Sequence, residues 1–142
     1  MTRFSFANLG KWAEKEKRIR DAVVKQATND MIVDASQTAT GVSRGGSVKQ
    51  GFVPRADGTL AASLVSTLHG STAITQGEGE FSMVVGSMRA GDRAVFSWTA
   101  PHAKAKNWGS KGQQGWHWVE KAHNNWPATF KAAAARARAM TG

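Results

Sequence analysis

The most regular hydrophobic pattern of the chain lies near its amino terminus. Apolar residues recur there at spacings of seven, four, four, four and four, at Trp12, Ile19, Val23, Ala27, Met31 and Ala35. This spacing places them on one stripe of an α-helix, because 3.6 residues make one turn. We predict a long helix over 9–39, with Asn8 as its N-cap and its end at the glycines that begin with Gly41.

The middle of the chain has the alternation of apolar and polar residues that is typical of β-strands. We predict strands over 71–76, 80–87 and 93–99, and a hairpin connection between the first two at Gly77, Glu78 and Gly79. The stretch 60–68 is apolar at positions 60, 64, 65 and 68, which fits either a short helical turn or the entry to a strand.

The last third begins with a stretch that has no clear period, predicted as a loop over 101–115. Apolar residues then recur at positions 116, 119, 122, 126, 130, 133 and 137, which indicates a helix over 116–140. Pro127 lies inside this pattern. Because proline lacks a backbone donor and disfavours a helical residue before it, we expect a kink or a restart near Asn125.

These elements together predict a single α+β domain, which suits a chain of 142 residues. A long N-terminal helix and a C-terminal helix pack on a small, mainly antiparallel β-sheet. The expected order is the long helix (9–39), a flexible glycine-rich segment (42–59), the sheet region (60–100), the loop (101–115) and the C-terminal helix (116–140).

Composition narrows the classes of protein further. The chain has no cysteine, which excludes disulfides, thiol catalysis and iron–sulfur clusters. No apolar run approaches the length of a transmembrane helix, so no membrane partner is expected. The net charge of the chain is +9. Residues 94–142 carry seven basic groups and one acidic group, Glu120, so this third alone has a net charge of +6. This excess of positive charge favours an anionic partner.

Catalytic motifs find little support in the sequence. His117 and His123 are six residues apart, so they cannot share one helix face as a zinc-binding pair four residues apart would, and His102 lies further upstream. There is no Gly-x-Ser-x-Gly motif and no Gly-Lys-Ser/Thr phosphate loop. We predict no enzyme activity, no catalytic residue, no metal site and no cofactor, and a small hydrolase is the least favoured alternative.

Five of the six tryptophans fall between positions 98 and 126, interleaved with basic residues. One interpretation is a surface that stacks on single-stranded nucleic acid. The interpretation we favour places Trp98, Trp116 and Trp126 in the core and Trp108 and Trp118 at an interface between subunits, where aromatic residues are enriched. If the stretch is helical, Trp116 and Trp118 cannot both face one core.

Three segments in series resemble the small neck proteins of long-tailed bacteriophages. They are FVPRADGTLAASL at 52–64, WTAPHAKAKNWG at 98–109 and GWHWVEKA at 115–122. The chain departs from the family pattern at His102, where an aromatic residue is usual, at Asn107, where an acid is common, and at Trp108, where a tyrosine is usual. The matching positions, which we expect to be structural, are Pro54, Asp57, Gly58, Leu60, Ser63, Leu64, Ala100, Pro101, Gly109, Gly115, Trp116 and Ala122.

The resemblance implies a structural protein of the virion, made in the host cytoplasm and placed at the head–tail junction. Such tail-completion or tail-terminator-type subunits form a homo-oligomeric ring, commonly of six copies. The ring joins the tail tube to head-connector or head-closure proteins, and packaged DNA makes transient contact as it passes through. The alternative is a basic nucleic-acid-binding module that uses the tryptophan- and lysine-rich C-terminal third.

A ring requires one surface of each subunit to bind a different surface of the next. We expect the hairpin connection and the loop to supply contacts between subunits or between adjacent rings. The candidate contact residues are Gly77, Glu78, Gly79, Lys104, Lys106, Asn107, Trp108, Lys111 and Trp118.

Overall fold

The computed structural model describes residues 6–39, 48, 50–55, 58–68, 74–110 and 112–141. It confirms the α+β class, with two long helices and a small three-stranded antiparallel sheet. The elements in chain order are α1 (Phe6–Ala35), β1 (Thr38–Ala39), β2 (Val53–Pro54), α2 (Thr59–Ala62), β3 (Leu64–Leu68), β4 (Ile74–Gln76), α3 (Phe81–Gly86), β5 (Ala94–Trp98), α4 (Ala103–Trp108), β6 (Gly109–Ser110), β7 (Gln113–Gln114) and α5 (Trp118–Thr141).

The two long helices lie side by side in antiparallel directions. Ile19 and Val23 of α1 pack against Ala137 near the end of α5, whereas Asp34 near the end of α1 bonds to Lys121 near the start of α5. Ile19 and Val23 of the amphipathic stripe predicted for α1 therefore belong to the helix–helix contact, while Met31 of the same stripe packs against the core of the sheet.

Two details of the predicted N-terminal helix are wrong. Helix α1 begins at Phe6, so Asn8 lies within the helix and is not its N-cap, and α1 ends at Ala35. Trp12 is 60% exposed although it belongs to the apolar stripe. The described side chains of α5 do not reach that far. The last of them to be buried, Ala137, packs against Ile19 and Val23, two turns beyond Trp12.

Helix α5 runs without interruption through Pro127, so the predicted restart near Asn125 does not occur. Proline at this position leaves the carbonyl of His123 without its helical donor. Both residues are exposed, and water can bond to that carbonyl in place of the missing donor.

The sheet has the strand order β4-β3-β5, and both pairings are antiparallel. Leu64, Ser66 and Leu68 of the central strand point into the core, while Val65 and Thr67 between them are half-buried. The buried face packs against Ile32 of α1 and against α3. The ambiguous stretch 60–68 contains both of its predicted alternatives, since α2 is followed directly by β3.

The predicted strand over 80–87 is wrong, because this stretch forms helix α3. Its buried residues are Phe81, Val84 and Val85, spaced by three and four as on one helix face, and Met83 is 65% exposed. Gly77, Glu78 and Gly79 consequently connect a strand to a helix and form no hairpin. The strand predicted over 71–76 is observed from Ile74, and residues 71–73 lie outside the described residues.

Two segments that we predicted to lack helices and strands contain short ones. Residues 101–115 include helix α4 and the short β6–β7 pair. Within 42–59, β2 pairs in parallel with β1, and Val53 is fully buried, so this part contains packed regular structure. The rest of that prediction, over 42–47, 49 and 56–57, lies outside the described residues. In the described part of the chain, no helix is long and apolar enough to span a membrane.

Candidate functional site

The three segments that carry the family resemblance come together around one group of buried apolar side chains. We call this group the motif cluster, and its members are Ala39, Val53, Leu60, Ala61, Ala103, Trp116 and Trp118. The half-buried Trp98 and Ala100 also pack against it. Segments separated by about 40 residues in sequence therefore share one core.

Trp118 is the largest fully buried side chain of the motif cluster, with 1% of its surface exposed. Its ring meets that of Trp98 edge-on, with 5.9 Å between the centroids. The prediction that Trp118 contacts another subunit is wrong. Trp116 is buried beside it, because α5 begins only at Trp118 and the intervening His117 adopts a positive φ of 51°.

Helix α4 is held to the segment before α5 by two backbone hydrogen bonds. The amide of Trp116 donates to the carbonyl of Lys106 (2.8 Å), and the amide of His117 donates to the carbonyl of Asn107 (3.0 Å). We call residues 103–117 the α4 bracket. Gly115 lies so close to the end of α4 that an added Cβ would be 2.5 Å from the carbonyl oxygen of Asn107. The two sides of the bracket therefore touch through their backbones.

The polar centre of the α4 bracket joins Asn107, His117 and Glu120. The Nδ2 group of Asn107 donates to Oε1 of Glu120 (2.7 Å), and its Oδ1 accepts from the amide of Val119 (3.2 Å). The other oxygen of Glu120 lies 2.5 Å from Nδ1 of His117. Asn107 is 4% exposed, so it is not available as the surface contact that the sequence predicted.

We expect Glu120→Ala to destabilise the α4 bracket, because the buried amide of Asn107 would lose its acceptor. An unsatisfied buried donor costs about 1–3 kcal/mol. Thermal unfolding of the two proteins measures this cost. Glu120→Gln keeps an oxygen for Asn107 and is the matched control, with a smaller expected loss. Equal stability of Glu120→Ala and the wild type would show that the network contributes nothing.

The remaining motif positions have structural roles in the described residues. Gly58, at a φ of 85°, precedes α2, and its carbonyl accepts from Ala62. Ser63 is buried, and its Oγ donates to the carbonyl of Leu60 (2.7 Å). The other positions are Pro54 in β2, Leu64 in the core of the sheet, Ala100 and Pro101 in the turn before α4, Gly109 at the end of α4 and the buried Ala122, while Asp57 lies outside the described residues.

Among the predicted contact residues, Trp108 is exposed to 59% and Lys104 and Lys106 are also exposed. Lys104 and Trp108 are four residues apart in α4 and share one of its faces. Glu78 is already paired within the chain, with both carboxylate oxygens 2.7 Å from a nitrogen of Arg55. Gly77 and Gly79 stay in the connection before α3, and Lys111 lies outside the described residues.

An open cleft of about 300 Å³ lies beside the bracket, between residues 50–51 and the first turns of α5. Lys121 on its wall is bound to Asp34 (3.2 Å) and Gln37 (3.5 Å) and lies over the ring of Phe52. No group of three metal-ligating side chains occurs within the described ranges. Glu120, noted in the sequence only as a lone acid, has both oxygens engaged, so its role is to join α4 to α5.

Comparisons with known proteins identify no relative of this chain. No family model, no curated protein and no solved structure matches this chain.

Proposed function

We propose that this chain is a structural subunit of a phage head–tail junction, a tail-completion or tail-terminator-type protein that assembles into a ring. The observation that carries the proposal is that all three segments of the family resemblance pack around the motif cluster. Their shared residues are used for packing and backbone contacts, and the unit they build presents Trp108 to solvent. This is the arrangement of a scaffold that supports an interface.

Trp108 has the properties of an interface anchor. It is 59% exposed, and its ring meets that of His117 edge-on, with 6.3 Å between the centroids. Backbone hydrogen bonds of the α4 bracket fix Lys106 and Asn107, which directly precede Trp108, so little backbone entropy is lost when a partner covers the ring. Tryptophan is among the residues that contribute most to binding at protein interfaces.

A second uncovered apolar surface lies on the outer face of the sheet. Ile74 on β4 and Val95 on β5 are 67% and 42% exposed, and Thr67 of β3 pairs with both of them. Trp108 lies on α4, which is not part of this sheet. Two different surfaces are what a head-to-tail ring contact requires, which supports the proposal.

Light scattering after size exclusion tests the proposal on the full chain at about 0.15 M salt, with and without a short DNA duplex. We expect either a ring, of roughly 90 kDa for six 15.2-kDa chains, or a monomer that ignores DNA and assembles on the tail. A monomer or dimer that binds duplex with a micromolar or tighter Kd would overturn the proposal.

Where the ring forms, we expect Trp108→Ala to weaken it. Truncating an anchor costs about 2 kcal/mol or more, roughly 30-fold in the dissociation constant between subunits. Trp12→Ala is the matched control, because Trp12 is exposed to a similar extent, 60% against 59%, at the far end of α1. If the two variants have equal masses across a dilution series, Trp108 does not belong to the interface between subunits.

The second candidate is the nucleic-acid-binding module. It is favoured by the presence of a basic and an aromatic side chain, Lys104 and Trp108, on one face of α4. Burial of Trp116 and Trp118 leaves fewer rings for base stacking than the sequence indicates. If the chain has this function, we expect it to bind single-stranded DNA with micromolar affinity, and we expect Trp108→Ala and Lys104→Gln each to abolish that binding.

A further inference from the structure

The acidic residues in the second half of α1 form hydrogen bonds or ion pairs with other parts of the chain. Asp21 accepts a hydrogen bond from the amide of Ala90 (2.8 Å), and Asp30 is paired with Arg136 of α5. Asp34 bonds to Lys121 (3.2 Å) and Asn125 (3.1 Å). The sequence of α1 is nearly neutral, with six basic and five acidic residues, but three of its acids are taken up by internal contacts.

The basic residues of the same helix remain on its surface. Lys11, Lys15 and Arg18 are exposed, Lys25 is half-buried, and none of the four has an ion pair among the described residues. At 100° per residue, all four fall within an arc of about 80°, with a span of about 21 Å along the axis. We call these four residues the α1 basic face. Glu14 lies beside this arc, and Glu16 lies on the opposite side of the helix.

We propose that the α1 basic face contacts the phosphate backbone of duplex DNA. The inference rests on the proposed function, in which DNA passes the subunit. A protein partner fits this face less well, since interface cores are rich in aromatic residues and poor in lysine. Between Lys11 and Lys25 the arc contains only Ala22 as an apolar residue. Phosphate contacts of this kind are independent of base sequence and let DNA slide along the protein.

The test measures binding of the full chain to a labelled duplex of about 20 base pairs by fluorescence anisotropy, starting at about 30 mM salt. In Lys15→Gln/Arg18→Gln, we expect binding to weaken at least tenfold. The slope of log K against log salt should also fall in magnitude by about 2, because each lost phosphate contact removes about 0.9.

The matched control is Lys17→Gln/Arg20→Gln, which removes the same two charges at the same spacing from other faces of the same helix. Both of its residues are exposed, so neither variant disturbs the core, and circular dichroism checks that each is folded. We expect this control to keep the wild-type slope within about 0.5.

Equal losses in the two variants would overturn the assignment, because net charge alone would then explain the binding. A loss confined to Lys104→Gln/Lys106→Gln would also overturn it, in favour of the nucleic-acid module. Binding of poly-glutamate but not of duplex would mean that the partner is an acidic protein. The mass measurement above is made at about 0.15 M salt, where a few phosphate contacts give much weaker binding than at about 30 mM, so the ring proposal and this inference fail separately.

Discussion

Replacing Trp118 with alanine is expected to lower the free energy of unfolding by about 3–5 kcal/mol, the usual cost of truncating a fully buried tryptophan. Trp118 is 1% exposed and meets Trp98 edge-on in the motif cluster. The cavity would open where all three segments of the family resemblance meet, and the backbone contacts of the α4 bracket limit its collapse. For a chain of this length, the loss corresponds to a fall in Tm of roughly 6–20 °C.

Urea and thermal unfolding measure this effect, and two variants sharpen it. Trp118→Phe keeps most of the ring volume. Since the indole nitrogen has no hydrogen-bond partner within the described residues, phenylalanine loses only volume, and we expect a cost of about 1–2 kcal/mol. Trp108→Ala removes an exposed ring and should change stability by no more than about 0.5 kcal/mol. A Trp118→Ala protein as stable as Trp108→Ala would contradict the burial of Trp118.

Gly115→Ala is expected to have the second-largest effect, a loss of about 3 kcal/mol or more. The added Cβ would be 2.5 Å from the carbonyl oxygen of Asn107, 2.6 Å from the carbonyl carbon of Trp108 and 2.8 Å from the amide nitrogen of Gly109. All three are backbone atoms, so no side-chain rotation relieves the contact. Overpacking usually costs 1–3 kcal/mol, and the fixed neighbours place this site at about the upper end.

The comparison that isolates this effect is Gly10→Ala, in which nothing lies within 4 Å of the new Cβ. Gly10 is in the exposed part of α1, where alanine should stabilise the helix by about 0.5–1 kcal/mol. The two substitutions are chemically identical, and we expect opposite shifts in Tm. A Gly115→Ala protein with an unchanged Tm would show that the two backbones of the bracket are further apart.

The prediction from sequence failed where an apolar run was short. Phe81, Met83 and Val85 alternate as in a strand, but Phe81, Val84 and Val85 also fit one helix face. Six residues are too few for periodicity to separate the two patterns. Pairing decided the outcome, because the central strand β3 takes β4 and β5 as its neighbours and α3 covers the buried face of the sheet.

The candidate site was predicted in part, because its motif positions are local in sequence but its contacts are not. Asn107 and Trp118 were expected at the surface and are buried, since the hydrogen bonds of Asn107 and the ring contact of Trp118 come from α5 and β5. Trp108, Lys104 and Lys106 were expected at the surface and are exposed. Which of several tryptophans is covered depends on neighbours distant along the chain.

The sequence by itself determined the two long helices, because a 3.6-residue period repeated over many turns is matched only by a helix, which places the apolar residues on one side. It also determined the α+β class, the strand β5 and the overall positive charge. Only the tertiary structure decided how far α5 covers α1, which tryptophans lie in the core, and which acids of α1 are taken up by internal contacts. These outcomes depend on where the chain brings distant residues together, and the charge left on α1 follows from those pairings.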